Sequence, residues 1–270
     1  MNRFLRIAVF ACSAALAAPA LAQDFDAGLK AYQEFDYKSA TENWLPLAKQ
    51  GHTVAQYMSA LMYSYGNGMP QDDAEAGRWY RLAAEQGHAE AQRALGYMYS
   101  TGEGVPQDDA AAVRWYRQAA EQGNANAQFS LGRMYEDGRG VPQDNAEAVR
   151  WYRMAAEQGD IHAHYIIGMM YRDGRGVSQD DIEAVRWLRM MVKFRYAEAL
   201  TNLGIIYGNS EGILHDKILA HMWYNLGNAS GDAQAGEKRD AIAKQMTREQ
   251  IAEAQTRAGM CVGSLYTYCN

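Results

Sequence analysis

Four kinds of side chain in this sequence have types and spacings that could do chemistry. Glycine pairs stand at Gly102 and Gly104, Gly138 and Gly140, and Gly174 and Gly176, a pattern that in other settings lets a backbone approach a phosphate. A dinucleotide fingerprint needs a third glycine, a strand before it and a helix after it. These pairs lack the third glycine and join one predicted helix to the next, so they read as turns. His162 and His164 are two residues apart on a predicted helix and therefore point to different faces. His215 and His221 flank a helix start with no thiol or carboxylate at zinc-like spacing. No metal site and no cofactor are expected. The carboxylate pairs Asp72-Asp73 and Asp108-Asp109 fall where predicted helices begin, and negative charge there meets the helix dipole. There is no Gly-x-Ser-x-Gly element, and no Ser-His-Asp or Cys-His arrangement can be argued, so no catalytic residue is assigned. Cys261 and Cys269 enclose a short loop near the C-terminus. In an oxidising compartment a bridge between them would stabilise by very roughly 2–3 kcal/mol on the chain-entropy account. A redox switch is the alternative, but nothing nearby points to a lowered thiol pKa.

Composition narrows the classes further. The 270 residues carry 26 Lys and Arg against 32 Asp and Glu, so the formal charge is 26 − 32 = −6, and 48% of residues are apolar. That is a globular composition, and its acidic balance argues against a nucleic-acid binder, which needs a basic face to displace counterions. Three cysteines are too few for a disulfide framework. Residues 1–22 read as a secretory signal peptide. Arg3 and Arg6 form a positive start, Ile7 to Ala18 is uncharged and small or apolar, and Ala20-Leu21-Ala22 is an A-x-A site. Cleavage after Ala22 removes two arginines and leaves 24 − 32 = −8. No other segment approaches the uncharged apolar length of a transmembrane helix.

The elements that must position these residues follow a fixed interval. Trp79, Trp115, Trp151, Trp187 and Trp223 are each 36 apart. Tyr63 to Tyr207, Ala76 to Ala220 and Gly68 to Gly212 keep the same step, with Trp44 one residue short of register. A period between about 20 and 50 residues marks a solenoid or an array. Each unit reads as two helices. In 89–124, Ala91, Ala94, Leu95 and Met98 share one face of the first, Gly102-Glu103-Gly104 breaks it, and Val105-Pro106-Gln107 links to a second. Asp108 sits at the N-cap of that second helix, which carries Ala112, Trp115, Tyr116 and Ala119 at i, i+3, i+4 and i+7. Asp72 with Glu75, Asp144 with Glu147 and Asp180 with Glu183 have capping-box spacing. Gly87, Gly123, Gly159 and Gly231 are expected as left-handed caps. Gly96, Gly132, Gly168 and Gly204 lie mid-helix, where glycine costs about 1 kcal/mol against alanine, which implies that a ring or a neighbouring helix fills the space. Trp115→Ala is expected to cost about 3–5 kcal/mol as a core truncation.

These residues carry a resemblance. The run Ala-x-x-x-Leu-Gly-x-Met-Tyr-x-x-Gly-x-Gly-Val-x-x-Asp, followed by Ala-x-x-Trp-Tyr-x-x-Ala-Ala-Glu-Gln-Gly, resembles the Sel1-like repeat, a relative of the tetratricopeptide repeat. It is nearly complete in 89–124 and 125–160, clear in 53–88 and 161–196, weaker in 197–232, and divergent in 24–52. The resemblance implies an all-α, α/α superhelical solenoid of about six helix pairs over 23–260, with a helical cap at 233–260 and a tail at 261–270. Thr247 with Gln250 should form a capping box in that cap. At 193–195, Lys-Phe-Arg replaces Glu-Gln-Gly, so the turn ending at Arg195 is expected to differ. The loop at 208–215 lacks its first glycine and its proline, and a bend is expected there.

The resemblance also implies a function: protein-interaction scaffolds, some of them periplasmic, acting in envelope signalling or polysaccharide assembly. A cysteine-rich branch has been associated with β-lactam or peptidoglycan binding, which makes a cell-wall-fragment enzyme or receptor the competing reading; this chain has no cysteine inside its repeats. First helices line the concave side in such solenoids. Two columns on them vary from unit to unit while their neighbours stay Ala, Leu or Gly. One holds Tyr57, Arg93, Phe129, Tyr165 and Thr201; the other holds Leu61, Tyr97, Arg133, Met169 and Ile205. Aromatic residues and arginine are enriched where proteins bind one another. Tyr57, Arg93, Tyr97, Phe129, Arg133, Tyr165 and Met169 are therefore the candidate contacts for another protein or a peptide, unless they simply pad the inner groove. The expected location is the periplasm or outside the cell.

Overall fold

The computed structural model describes residues 17–209, 215–266 and 269, and it is all-α within them. The leader expected over 1–22 lies outside the described residues as far as 16. Residues 210–214 of the atypical loop, and 267, 268 and 270 of the tail, lie outside them too. The chain divides into two compact units, Met1–Gln122 and Gly123–Asn270. The first holds α1 (Ala17–Gln33), α2 (Tyr37–Lys49), α3 (Thr53–Tyr65), α4 (Asp73–Glu85), α5 (Ala89–Thr101) and α6 (Asp109–Glu121). The second holds α7 (Ala125–Asp137), α8 (Asn145–Glu157), α9 (Ile161–Asp173), α10 (Asp181–Arg189), α11 (Ala197–Asn209), α12 (Lys217–Ala229), α13 (Ala233–Ala243) and α14 (Arg248–Gly263). Within each unit every helix packs on its successor, except that α14 returns to α12. Among the described residues no helix is long and apolar enough to cross a membrane.

Local chemistry sets the helix starts. Asp72, Asp108 and Asp144 each accept from the backbone N–H three residues on, at 2.9–3.0 Å. Asp180 and Asp216 each accept from two N–H groups. This satisfies donors that have no partner within the helix. The expected capping boxes are only half formed, because Glu75, Glu147 and Glu183 turn instead to Arg78, Arg150 and Arg186 one helical turn on. An exposed arginine within reach competes for a carboxylate that a serine-type box would have kept. At Thr247 and Gln250 no such arginine intervenes, and both bonds of the box are present. Gly87, Gly123 and Gly159 take φ of 89° to 92° just past the second helices, the left-handed geometry their spacing predicts.

The core runs along alternate faces of successive helices. Ala91, Leu95 and Met98 of α5 and Ala112, Tyr116 and Ala119 of α6 are buried. A methyl group on Gly96 would lie 2.7 Å from the Tyr116 ring, and one on Gly132 would lie 2.9 Å from Tyr152. These mid-helix glycines are therefore sockets for tyrosine; at Gly168 the plug is Leu188. The tryptophans correct the sequence reading. Trp44 and Trp223 are fully enclosed, but Trp115, Trp151 and Trp187 are only half-buried. In those repeats the residue after the tryptophan (Tyr116, Tyr152 or Leu188) fills the core. Trp115→Ala should therefore cost less than a full core truncation.

A chain of side-chain amides links successive repeats. Gln56 and Gln92 are buried and donate to the carbonyls of Ala48 and Ala84, both at 3.1 Å. Gln86, Gln122 and Gln158 then donate to the side-chain oxygens of Gln56, Gln92 and Gln128, at 2.6–2.8 Å. In the next repeat His164 takes the glutamine position and packs its ring on Trp187, 5.6 Å between centroids. Phe194 stands where the donating glutamine would be, and it is exposed. The two replacements explain each other: with no amide at 164, a glutamine at 194 has nothing to meet. α10 ends early, a short 3-10 turn follows at Val192–Phe194, and Arg195 takes the left-handed conformation in place of glycine.

Candidate functional site

In the first unit the candidate residues meet around one recess. Leu61, Arg93 and Tyr97 line a cavity of about 570 Å³ together with Tyr65, Asp73 and Glu103. Tyr97 is 49% exposed and Tyr65 71%. Arg93 is fixed by Glu90 one turn away, Nε to Oε2 2.9 Å. Tyr57 lies deeper, stacked on His88 with centroids 4.6 Å apart and tilted against Tyr80 at 6.0 Å. Burial, and then the Glu90 carboxylate, push the Tyr57 hydroxyl above its ordinary pKa. It therefore remains a donor at neutral pH.

In the second unit the same columns are bound up in internal contacts. Phe129 packs on Tyr152 at 5.5 Å and faces His162 at 6.3 Å. Tyr165 packs on Tyr196 at 5.4 Å, and its hydroxyl accepts from Asn202 Nδ2 at 3.3 Å. Arg172 Nη1 donates to the other side of that amide. Thr201 is buried and donates at 2.6 Å to Oδ2 of Asp232, the N-cap residue of α13, so it faces the cap helices rather than an open surface. Arg133 is exposed and reaches Asp137 at 3.6 Å, while Met169 is half-buried. Glu136 accepts both from the Tyr152 hydroxyl and from Arg175 Nη1, each at 2.6 Å. Burial and that carboxylate hold the Tyr152 hydroxyl well above the usual tyrosine range. Chemically, these faces offer aromatic surface, protonated hydroxyls and guanidinium groups.

Tyr65 was not among the sequence candidates, although it is the most exposed aromatic residue of this recess. It begins a third variable column one turn past the second: Tyr65, Thr101, Asp137, Asp173 and Asn209. That variation is legible in the sequence, but only the exposure of Tyr65 beside the recess marks it out. Among the described residues no group of three or more His, Cys, Asp or Glu side chains converges as metal ligands do. Cys261 and Cys269 are joined, with Cα atoms 4.5 Å apart and both residues buried. Arg189 Nη2 donates to the Cys269 carbonyl at 3.0 Å, and Arg195 sits over the Tyr266 ring at 5.6 Å. The tail is thus held against the repeat whose turn departs from the pattern.

Comparison with known proteins points to one family. The Sel1 repeat matches residues 53–88, 89–124, 125–160, 161–192 and 197–232. A Sel1 repeat protein from Oxalobacter formigenes is 32% identical with a TM-score of 0.73, over 86% of this chain and 98% of that one. A protective antigen of uropathogenic Escherichia coli strains, described as having an SLR fold, is also 32% identical, with a TM-score of 0.77. The match covers 88% of this chain but only 53% of the antigen, so this chain spans about half of that protein's length. No curated protein matches the chain. Five matched repeats, covering well over half of the sequence, make this chain a member of the Sel1 repeat family.

Proposed function

We propose that the protein is a non-enzymatic scaffold, exported to the periplasm by residues 1–22, that holds a protein or peptide partner on its first helices and acts in envelope signalling or polysaccharide assembly. Sel1 repeats generally mediate protein–protein interaction, which supports the class. The observation that carries the reading is the recess of the first unit. It combines two exposed tyrosines, Tyr65 and Tyr97, with a pre-positioned Arg93, at positions that vary while the packing positions beside them do not. Rigid aromatic residues and arginine at the centre of a contact supply most of its binding energy. The leader motif and the bridge between Cys261 and Cys269 suit an oxidising compartment.

A photo-crosslinking side chain at Tyr97 is expected to trap one partner in cells, whereas the same group at Leu82, exposed on the second helix α4, traps none. Tyr65→Ala with Tyr97→Ala should abolish the crosslink from a probe at Glu103. Exposed substitutions of this kind change stability within about 0.5 kcal/mol, so loss of folding would not account for the result. Equal crosslinking from Leu82 would refute the assignment of the face. An osmotic-shock fraction containing a chain that begins at Gln23 is the matching test of export.

A further inference from the structure

The recess of the first unit has a counterpart four periods along the chain, inside the second unit, and its charge is reversed. Ile205, Gly208, Asn209, Lys217, Tyr224 and Lys238 line a cavity of about 270 Å³. Moved back by four periods, these positions are Leu61, Ser64, Tyr65, Asp73, Tyr80 and Ala94, all of which line the first recess. Three of the replacements act in one direction. The first residue of the second helix is Asp73, Asp109, Asn145 and Asp181 in the preceding repeats, and Lys217 here. A cation in the first turn of a helix opposes its dipole, so helix stability does not explain this lysine. Ala94 becomes Lys238, which brings a second ammonium group. Ser64 becomes Gly208, which removes the group that meets the core tyrosine in other repeats. Ser100 Oγ lies 3.4 Å from the Tyr116 hydroxyl, and Glu136 accepts from Tyr152 at 2.6 Å.

Tyr224 is 5% exposed, and among the described residues its hydroxyl has no hydrogen-bond partner. The hydroxyl is not sealed from water; it stands at the wall of the recess, where a bound acceptor can meet it. Burial pushes its pKa up to about 12, so the group is a donor at neutral pH. Among the described residues, neither Lys217 nor Lys238 has an ion-pair partner and no carboxylate lines the recess. Gln245 and Asn209 add amide groups, and Ile205 and Ile242 supply an apolar wall.

We infer that this recess binds a small organic acid, its carboxylate held by Lys217, Lys238 and the Tyr224 hydroxyl and its apolar body against Ile205 and Ile242. A cavity slightly under the usual size range for ligand pockets fits a molecule of few heavy atoms. The carboxylate has two possible sources, a free acid or the C-terminal end of a peptide chain. The site is separate from the recess of Tyr65 and Tyr97, and it stands whether or not a partner docks there.

The test titrates the oxidised mature chain with 4-methylpentanoate, with its amide, and with a pentapeptide ending in leucine in free-acid and amidated forms, followed by calorimetry and by amide chemical shifts. Saturable binding of the acid or of the free-acid peptide is expected, with shifts centred on residues 205–245 and no binding of either amide. Lys217→Asp, which restores the residue type of the other repeats, should weaken binding by about tenfold or more, as expected when a charge-assisted contact is lost. Gly208→Ser should also weaken it, because the new hydroxyl engages Tyr224. A methyl group there finds no atom nearer than 3.5 Å, so the fold accommodates the change. Both substitutions favour the helices that carry them, and retained melting temperatures separate lost binding from lost folding. Tighter binding of the peptide identifies a chain end as the source, and tighter binding of 4-methylpentanoate identifies a free acid. No saturable binding by either, or binding unchanged in both variants, overturns the proposal. Crosslinking at Tyr97 is unaffected by either result.

Discussion

Gly104→Ala is expected to remove about 2–5 kcal/mol of stability, whereas Gly102→Ala, two residues away in the same turn, removes about 1–2. Both glycines are left-handed, with φ of 67° and 83°, and an alanine at either pays the same conformational penalty of roughly 1–2 kcal/mol. They differ in what a methyl group would meet. At Gly102 its nearest neighbour is 3.4 Å away, an ordinary contact. At Gly104 it would lie 2.1 Å from the Asp73 carbonyl oxygen and 2.4 Å from its carbon. Asp73 opens α4 behind the Asp72 cap, so relief requires moving the helix start. Overpacking of this kind adds about 1–3 kcal/mol. Thermal and urea unfolding followed by circular dichroism give the comparison, and equal losses at the two positions would show that the loop does not wedge against α4. Gly176 meets the Asn145 carbonyl in the same way, at 2.3 Å, and the equivalent substitution there tests the second unit.

Trp223→Ala is expected to cost about 3–5 kcal/mol and Trp115→Ala about half of that or less. Trp223 is 1% exposed and packs in one cluster with Leu203, Ile206, Leu226 and Cys261. Its removal leaves a cavity in the same cluster that holds the Cys261–Cys269 bridge. Trp115 is half-buried at the margin of its cluster, and truncation there returns much of the surface to water. Trp223→Phe isolates a further effect. Among the described residues the buried indole nitrogen has no hydrogen-bond partner, so phenylalanine removes an unsatisfied donor along with some volume, and it should cost well under half of the alanine change. A Trp115→Ala loss equal to that of Trp223→Ala would contradict the burial difference.

The helix pairs, their caps and the sockets for aromatic rings were legible because each rests on short-range rules repeated several times over. Asp at the N-cap, glycine past the C-terminus and a glycine opposite an aromatic residue are local signals that a 36-residue period amplifies. Which aromatic of the Trp-Tyr pair enters the core was not legible. Both lie on the inward side of the helix wheel, and the choice is made by the glycine socket on the preceding helix. The candidate contacts were legible as variable positions, but variation alone does not separate Tyr97, which faces solvent, from Thr201, which reaches across to Asp232. That distinction depends on what the end of the repeat and the start of α13 place against the column. The replacement of an acid by Lys217 was visible in the sequence, but its significance required the unpartnered Tyr224 hydroxyl beside it.

The amide relay has a genetic consequence. Gln56, Gln92 and Gln128 each receive the same bond from a glutamine 30 residues downstream. Unequal crossing-over between these copies, in phase, yields a longer or shorter gene in which each such donor still finds an acceptor. The same event with its breakpoint between the codons of His164 and Phe194 strands an amide on one side of the junction. Copy-number changes in lineages of this gene should therefore avoid junctions between residues 164 and 194.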